Sequence, residues 1–275
     1  LVAALTVGAL GYASAGGAWP AAWRSVSVWL VLLGGFALLR IADEFKDANE
    51  DAAHRPYRPV PRGLVTLREL GWVAVGIGLV QLGLSWLLGP PLLWALLLFW
   101  VLWALMRREF FMPVWLKGHP LLYMLAHMLI LPVMMGYALA AAHSPGAALT
   151  WGLLPFLAAS YANGVVFEIG RKLRAPVDEE SGVDTYSLLW GTRRAVGAWA
   201  GALIAAAALA WGAAQAVGVG GPFALVAGLG VSGAAWAAAS MLHQPTTAHS
   251  RRIERISALW VLGCYLALGL LWMVR

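Results

Sequence analysis

Charge is what this sequence has least of. Only 12% of its 275 residues are Asp, Glu, Lys or Arg, about half the ~25% of an ordinary soluble domain. Much of the chain must therefore face something other than water. Cysteine is almost missing as well. Cys264 stands alone within an apolar run, which excludes an intrachain disulfide, a CxxC redox pair and a cysteine-based zinc site. No polar stretch is long enough to make a second, soluble domain, so residues 1–275 read as one membrane domain. The formal net charge of +6 does not point to nucleic acid. The basic residues are confined to short loops between apolar runs, which is how topological charge is distributed.

Apolar runs fill the space that charge leaves, and many approach the ~20 residues of a membrane-crossing helix. The fold class is an all-α polytopic membrane bundle of nine transmembrane helices. Their expected positions are 1–16, 22–43, 66–89, 91–106, 120–142, 150–170, 192–217, 221–242 and 254–274. The opening LVAALTVGALGYASAGG has a signal-peptide-like "ASA" but no basic leader and no initiator Met, so it reads as a first membrane helix. Proline and glycine punctuate the runs at Gly89-Pro90-Pro91, Ser144-Pro145-Gly146 and Gly220-Gly221-Pro222.

The connecting loops alternate. Those after segments two, four, six and eight carry nearly all the Lys and Arg, including Arg55, Arg58, Arg62, Lys117, Arg171, Lys172, Arg174, Arg251 and Arg252. The positive-inside rule places these loops and the N-terminus in the cytoplasm of a bacterial or archaeal cell, with the C-terminus outside. Almost all the acids fall on the same side. Membrane topology does not require that, so the cytoplasmic face is the expected active face.

The acids come in two groups. DEFKDANED, 43–51, holds five carboxylates in nine residues. Asp43, Asp47 and Asp51 are four apart, a stripe that drifts ~40° and rises ~6 Å per step on a helix. Like charges so spaced repel by a few tenths of a kcal/mol per pair. Either a solvated helix end with Arg40 and Lys46 nearby offsets this, or a divalent cation does. Mg²⁺ takes one or two carboxylates and completes its shell with water and phosphate oxygens. HRPYRPVPRGLVT, 54–66, then supplies Arg55, Arg58 and Arg62, whose guanidinium groups match phosphate oxygens. Carboxylates for Mg²⁺ beside arginines for phosphate describe a diphosphate site. The second group lies in NGVVFEIGRKLRAPVDEESGVDTYSLLWG, 163–191: Glu168, then Arg171, Lys172 and Arg174, then Asp178, Glu179, Glu180 and Asp184 around Pro176.

These motifs resemble those of the UbiA superfamily of intramembrane prenyltransferases. That family has nine transmembrane helices, a first motif NDxxDxxxD and a following turn RPxxxG. Asp43-x3-Asp47-x3-Asp51 has the spacing, with Asp43 in place of the family's Asn, and Arg58-Pro59-Val60-Pro61-Arg62-Gly63 supplies the turn. The family's second motif, DxxxDxxGDxxxGxxT, is matched in its last part by Asp178-x3-Gly182-x2-Thr185. Arg174 stands where an earlier aspartate is expected, and Glu168 is the nearest upstream acid.

The resemblance implies Mg²⁺-dependent transfer of a prenyl group from an isoprenoid diphosphate to a small aromatic acceptor within the lipid bilayer. It implies that Asp47 and Asp51, helped by Asp43, bind a first Mg²⁺, and that Glu168 and Asp178 are the candidates for a second. Arg58, Lys117 and Lys172 become candidates for a diphosphate clamp. Asn163 and His127 are polar groups within segments, for which a substrate role competes with a plain helix-to-helix hydrogen bond. Glu109 is equally open. Three rivals use overlapping features. A UbiA-type terpene cyclase would need no acceptor, but such cyclases tend to lose the middle Asp that Asp47 retains. A CDP-alcohol phosphotransferase would show a DGxxAR signature, which is missing. A transporter would place its ionisable groups at the midplane rather than at one face.

Overall fold

The computed structural model describes residues 1–142, 153–180 and 182–274. They form thirteen α-helices, and no strand occurs among the described residues. In chain order the helices are α1 (Val2–Ala13), α2 (Ala22–Lys46), α3 (Ala48–His54), α4 (Leu67–Leu88), α5 (Pro90–Arg107), α6 (Pro113–Lys117), α7 (Pro120–Met128), α8 (Ile130–Ala142), α9 (Leu153–Arg171), α10 (Tyr186–Trp190), α11 (Thr192–Ala216), α12 (Gly220–His243) and α13 (Thr247–Leu270). Eight continuous or near-continuous helical stretches among the described residues are long and apolar enough to cross a membrane, with α7 and α8 counted as one. The protein is an integral membrane protein. The first expected segment is the short apolar helix α1, 12 residues long, or ~18 Å against a hydrocarbon core of ~30 Å.

Most segment ends agree with the sequence reading to within a few residues. Segment nine does not, because α13 begins at Thr247 rather than near 254. The charged HSRRIE stretch was expected to be loop, but charge does not stop a helix. Thr246 caps it by accepting from the His249 N–H. The fifth segment is interrupted at Leu129, where the Pro132 ring opposes the Met128 carbonyl and no N–H is available to bond it. The Ser144-Pro145-Gly146 break and the start of segment six at 150 lie outside the described residues.

The chain packs as two compact units, Ala21–Tyr123 and a second comprising Ala3–Pro20 with the chain from Met124 onward. In the first, α2 packs on α4 and α5. Gln81 of α4 pins all three helices: its amide nitrogen donates to the Val31 carbonyl at 2.9 Å and its oxygen accepts from Trp100 Nε1 at 3.0 Å. Both polar ends are satisfied inside an apolar layer, which is the condition for burying an amide. Exposed Trp72, Leu79, Trp86, Trp94 and Leu98 on α4 and α5 face outward, where lipid rather than water suits them.

In the second unit α9 is central, packed against α8, α11 and α13, and α12 packs on α11 and α13. Trp199 of α11 is fully buried and donates to Ser257 Oγ of α13 at 2.8 Å. Helix α1 meets α13 backbone to backbone: a Cβ on Gly11 would overlap the Gly269 carbonyl. Small residues drive such close helix contacts in lipid.

Candidate functional site

The first acidic group lies where α2 ends. Asp47 is at once the last cap of α2 and the first of α3, with φ −93° and ψ 5°. The chain therefore bends at the middle aspartate of the stripe. Asp51, one turn into α3, is 1% exposed. One of its oxygens accepts from Arg55 at 3.2 Å and the other from Arg58 at 2.5 Å. The turn that returns Arg58 to Asp51 is held by backbone bonds from Arg58 N to Arg55 O and from Arg62 N to Arg58 O, both 3.0 Å. Gly63 closes it at φ +71°, a conformation that costs a side-chain-bearing residue energy. Burial acts to lower the Arg58 pKa. The hydrogen bond and charge of Asp51, with the charges of Glu44 and Asp47, outweigh it and hold the guanidinium above its ordinary value. Glu44 is buried and paired with Arg40.

Asp43 is exposed on the last turn of α2, and Asp47 is half-buried. The Asp47 carboxylate makes no ion pair among the described residues. Nowhere among those residues do three His, Cys, Asp or Glu side chains converge as a ready-made metal cage. The donor set at the α2 end nevertheless suits Mg²⁺, which keeps several waters and asks for one or two carboxylates plus substrate oxygens. Asp51 uses two of its ~4 lone-pair sites on arginines, leaving capacity for a further bond.

Next to this stripe lies an arrangement that sequence reasoning did not assemble. Lys46 Nζ pairs with Glu109 at 2.8 Å and donates to the Tyr123 hydroxyl, and Tyr123 donates to Glu109 Oε1 at 3.1 Å. Glu109 is buried, and it opens a turn in which Glu109, Phe110 and Phe111 all have positive φ, +49°, +52° and +61°. Lys117 follows at the end of α6 and is exposed.

In the second unit Glu168 is buried at the end of α9. It accepts from Arg171 at 2.5 Å and from Lys172 at 3.1 Å. Glu179 accepts from the hydroxyls of Thr185 and Ser187, both 2.8 Å to Oε1, and Thr185 caps α10. Asp178 ends a 3₁₀ turn, and its Oδ1 accepts from Thr247 Oγ1 of α13 at 2.8 Å. Thr247, Arg251 and Glu254 belong to this neighbourhood and were missed. Their i, i+4, i+7 spacing puts them on one helix stripe, a signal that becomes readable once α13 is known to begin at 247. Asn163 is buried: it accepts from Trp260 Nε1 at 2.8 Å and donates to Cys264 Sγ at 3.4 Å. Those contacts describe a bridge between α9 and α13. His127 is half-buried on α7.

The sequence profile of the UbiA prenyltransferase family matches residues 3–262. This chain belongs to the UbiA prenyltransferase family. Its fold agrees. The apo structure of a UbiA homologue from Aeropyrum pernix K1 superposes with a TM-score of 0.73 at 16% identity, over 95% of each chain. A digeranylgeranylglyceryl phosphate synthase gives 0.66 at 15%, over 98% of this chain and 93% of that one. A UbiA homologue from Archaeoglobus fulgidus, solved bound to DMAPP and Mg²⁺, gives 0.60 at 13%, over 98% and 96%. No curated protein sequence matches the chain.

Proposed function

We propose that this UbiA protein transfers a prenyl group from an isoprenoid diphosphate to a small aromatic acceptor within the membrane, with Mg²⁺ as cofactor. The observation that carries the reading is the end of α2: an Asp47 carboxylate with no ion pair among the described residues, at a helix break, one turn from Asp43 and close enough for its charge to act on an Arg58 fixed by buried Asp51. Asp43, Asp47 and Asp51 would hold the ion, which when bound supplies Lewis-acid stabilisation of the departing diphosphate. Asp51 orients Arg58, so that its charge lies where negative charge develops as the allylic C–O bond breaks. Lys117 keeps its assignment as a candidate phosphate contact of the first unit, and Lys172, paired with Glu168, as a candidate of the second group. The allylic cation that remains must meet acceptor before water, which an apolar, lipid-flanked interior favours. The basic loops lie on the cytoplasmic face of the cell membrane. Glu168 and Asp178 are the family-pattern candidates for a second ion, but Glu168 is already neutralised by two cations and Asp178 is braced by Thr247. The first group therefore carries the essential metal.

The similarity of the A. fulgidus homologue, solved with DMAPP and Mg²⁺, supports the donor class. The test is to incubate the purified protein with Mg²⁺ and prenyl diphosphates of several lengths, with and without a panel of aromatic acceptors. Diphosphate release that requires an acceptor is the expected result. A cyclic hydrocarbon formed without acceptor would make the protein a cyclase and overturn the transfer reading.

A further inference from the structure

By its place in the chain, Lys46 should neutralise the acidic stripe. It is the last residue of α2, beside Asp47, three positions after Asp43 and four before Glu50. An acid three positions ahead of a lysine makes a favourable helical pair, with ~5–6 Å between Cβ atoms. The stripe stays in series through the bend. The Asp47 N–H donates to the Asp43 carbonyl and the Asp51 N–H to the Asp47 carbonyl, both at 2.8 Å. Yet the Lys46 ammonium is drawn to another part of the same unit. It donates to the Tyr123 hydroxyl, lies 5.1 Å from the centre of that ring, and pairs with Glu109 at 2.8 Å. Asp47, with a lysine as its neighbour in sequence, makes no ion pair among the described residues.

That arrangement is unfavourable in itself. Glu109 is buried and gives up its hydration. It also opens the turn in which Glu109, Phe110 and Phe111 all have positive φ, a conformation that side-chain-bearing residues adopt at a cost. Strain of this kind persists only where the surroundings fix it, and it gathers at functional sites. Fold stability does not account for it, because a buried ion pair can often be replaced by well-packed apolar side chains without loss. What the link does achieve is a separation of charge: a cation that local spacing would place on Asp43 is kept off it.

We propose that Glu109 and Tyr123 are positioning residues that act through Lys46. They hold its ammonium away from Asp43 and Asp47, and so keep those carboxylates open to a divalent cation. This rests on the reading that the stripe binds Mg²⁺, and adds to it two residues that touch neither the ion nor the substrate. With Glu109 gone, the Lys46 side chain turns back along its own helix and competes with the ion for the carboxylates.

The test is a double-mutant cycle read by metal binding rather than turnover. Wild type, Glu109→Gln, Lys46→Met and the two combined are purified as full chains in detergent, and melting is recorded for each. Mn²⁺, which takes the same oxygen ligands as Mg²⁺, is titrated alone and the bound fraction counted by electron paramagnetic resonance. Asp47→Asn identifies the binding event that belongs to the stripe. Glu109→Gln should raise the half-saturating Mn²⁺ concentration about tenfold, the effect of one charge brought into contact. Lys46→Met breaks the same link and lowers the melting temperature too, yet should bind Mn²⁺ at least as tightly as wild type. In the Lys46→Met background, Glu109→Gln should have no further effect. If Lys46→Met weakens binding as much as Glu109→Gln, the link is merely structural and the proposal is wrong. It is equally wrong if Glu109→Gln has the same effect with and without Lys46, which would be a long-range field, or no effect at all. Should Glu109→Gln fail to fold, Tyr123→Phe, which leaves the ion pair in place, runs the same cycle with an expected weakening of about threefold. Asp47→Asn keeps the two readings apart. If it abolishes Mn²⁺ binding while the cycle fails, only this proposal falls; if wild type has no Mn²⁺ binding that Asp47→Asn removes, the metal reading of the stripe falls and takes this one with it.

Discussion

At the scale of single residues, three aspartates that look equivalent in sequence separate by environment. Asp43 is exposed, Asp47 half-buried and Asp51 enclosed by two arginines. The spacing of four was legible, and so was the Arg-Pro turn after it. The burial of Asp51 was not, because it depends on Gly63 and the backbone bonds that fold Arg58 back. Two different phenotypes are therefore expected. Asp47→Asn removes a charge that makes no ion pair among the described residues, so turnover and Mg²⁺-dependent donor binding fall by at least about a hundredfold while the melting temperature holds. Asp51→Asn also releases Arg55 and Arg58 from their shared partner, so it lowers both turnover and thermal stability. Measuring prenyl transfer and melting in detergent on the same preparations checks both. Wild-type turnover in Asp47→Asn would remove the metal assignment.

At the scale of elements, the hydrophobic runs gave the long helices because a bilayer leaves the backbone no other way to satisfy itself. The polar loops were harder. α3, α6 and α10 are too short for periodicity to announce, and α13 extends into charged sequence because Thr246 caps it. The link from α2 to the 109–117 segment could not be read at all, since Lys46 and Glu109 are 63 positions apart and meet only through packing. That link should be stabilising as a unit. Glu109→Gln leaves Lys46 and Tyr123 without their anion and should cost about 2 kcal/mol, less than the ~3–5 of a fully buried pair, because Lys46 retains some exposure. Lys46→Met with Glu109→Leu should recover most of that loss, since two apolar side chains need no partner. Thermal denaturation of the three variants decides it: a double variant less stable than Glu109→Gln would contradict the account. In the same turn Phe111 is exposed at φ +61°, a region that costs a non-glycine residue ~1–2 kcal/mol. Phe111→Gly should therefore raise the melting temperature or leave it level, and a clear fall would mean that the ring packs on something that matters more.

At the scale of the whole molecule, the charge distribution makes the strongest claim, and it concerns sides of a membrane rather than contacts. The loops bearing Arg58, Lys117 and Arg171 are rich in cations, whereas the connection between α1 and α2, 14–21, carries none. Translocating a basic loop is disfavoured, so all three should lie in the cytoplasm and the 14–21 connection outside. The test needs reporters that do not disturb the fold. Tyr57, Val114 and Val177 are 61%, 86% and 79% exposed, and Ala18 is exposed in the 14–21 connection. Each is changed to cysteine singly in a Cys264→Ser background. Cys264 is fully buried and accepts from Asn163, so serine is a near-isosteric replacement that keeps an acceptor there. With an impermeant thiol reagent on intact cells, Ala18→Cys should label at once, and the other three only after the membrane is opened. External labelling at any one of Tyr57→Cys, Val114→Cys or Val177→Cys would break the alternation of loops.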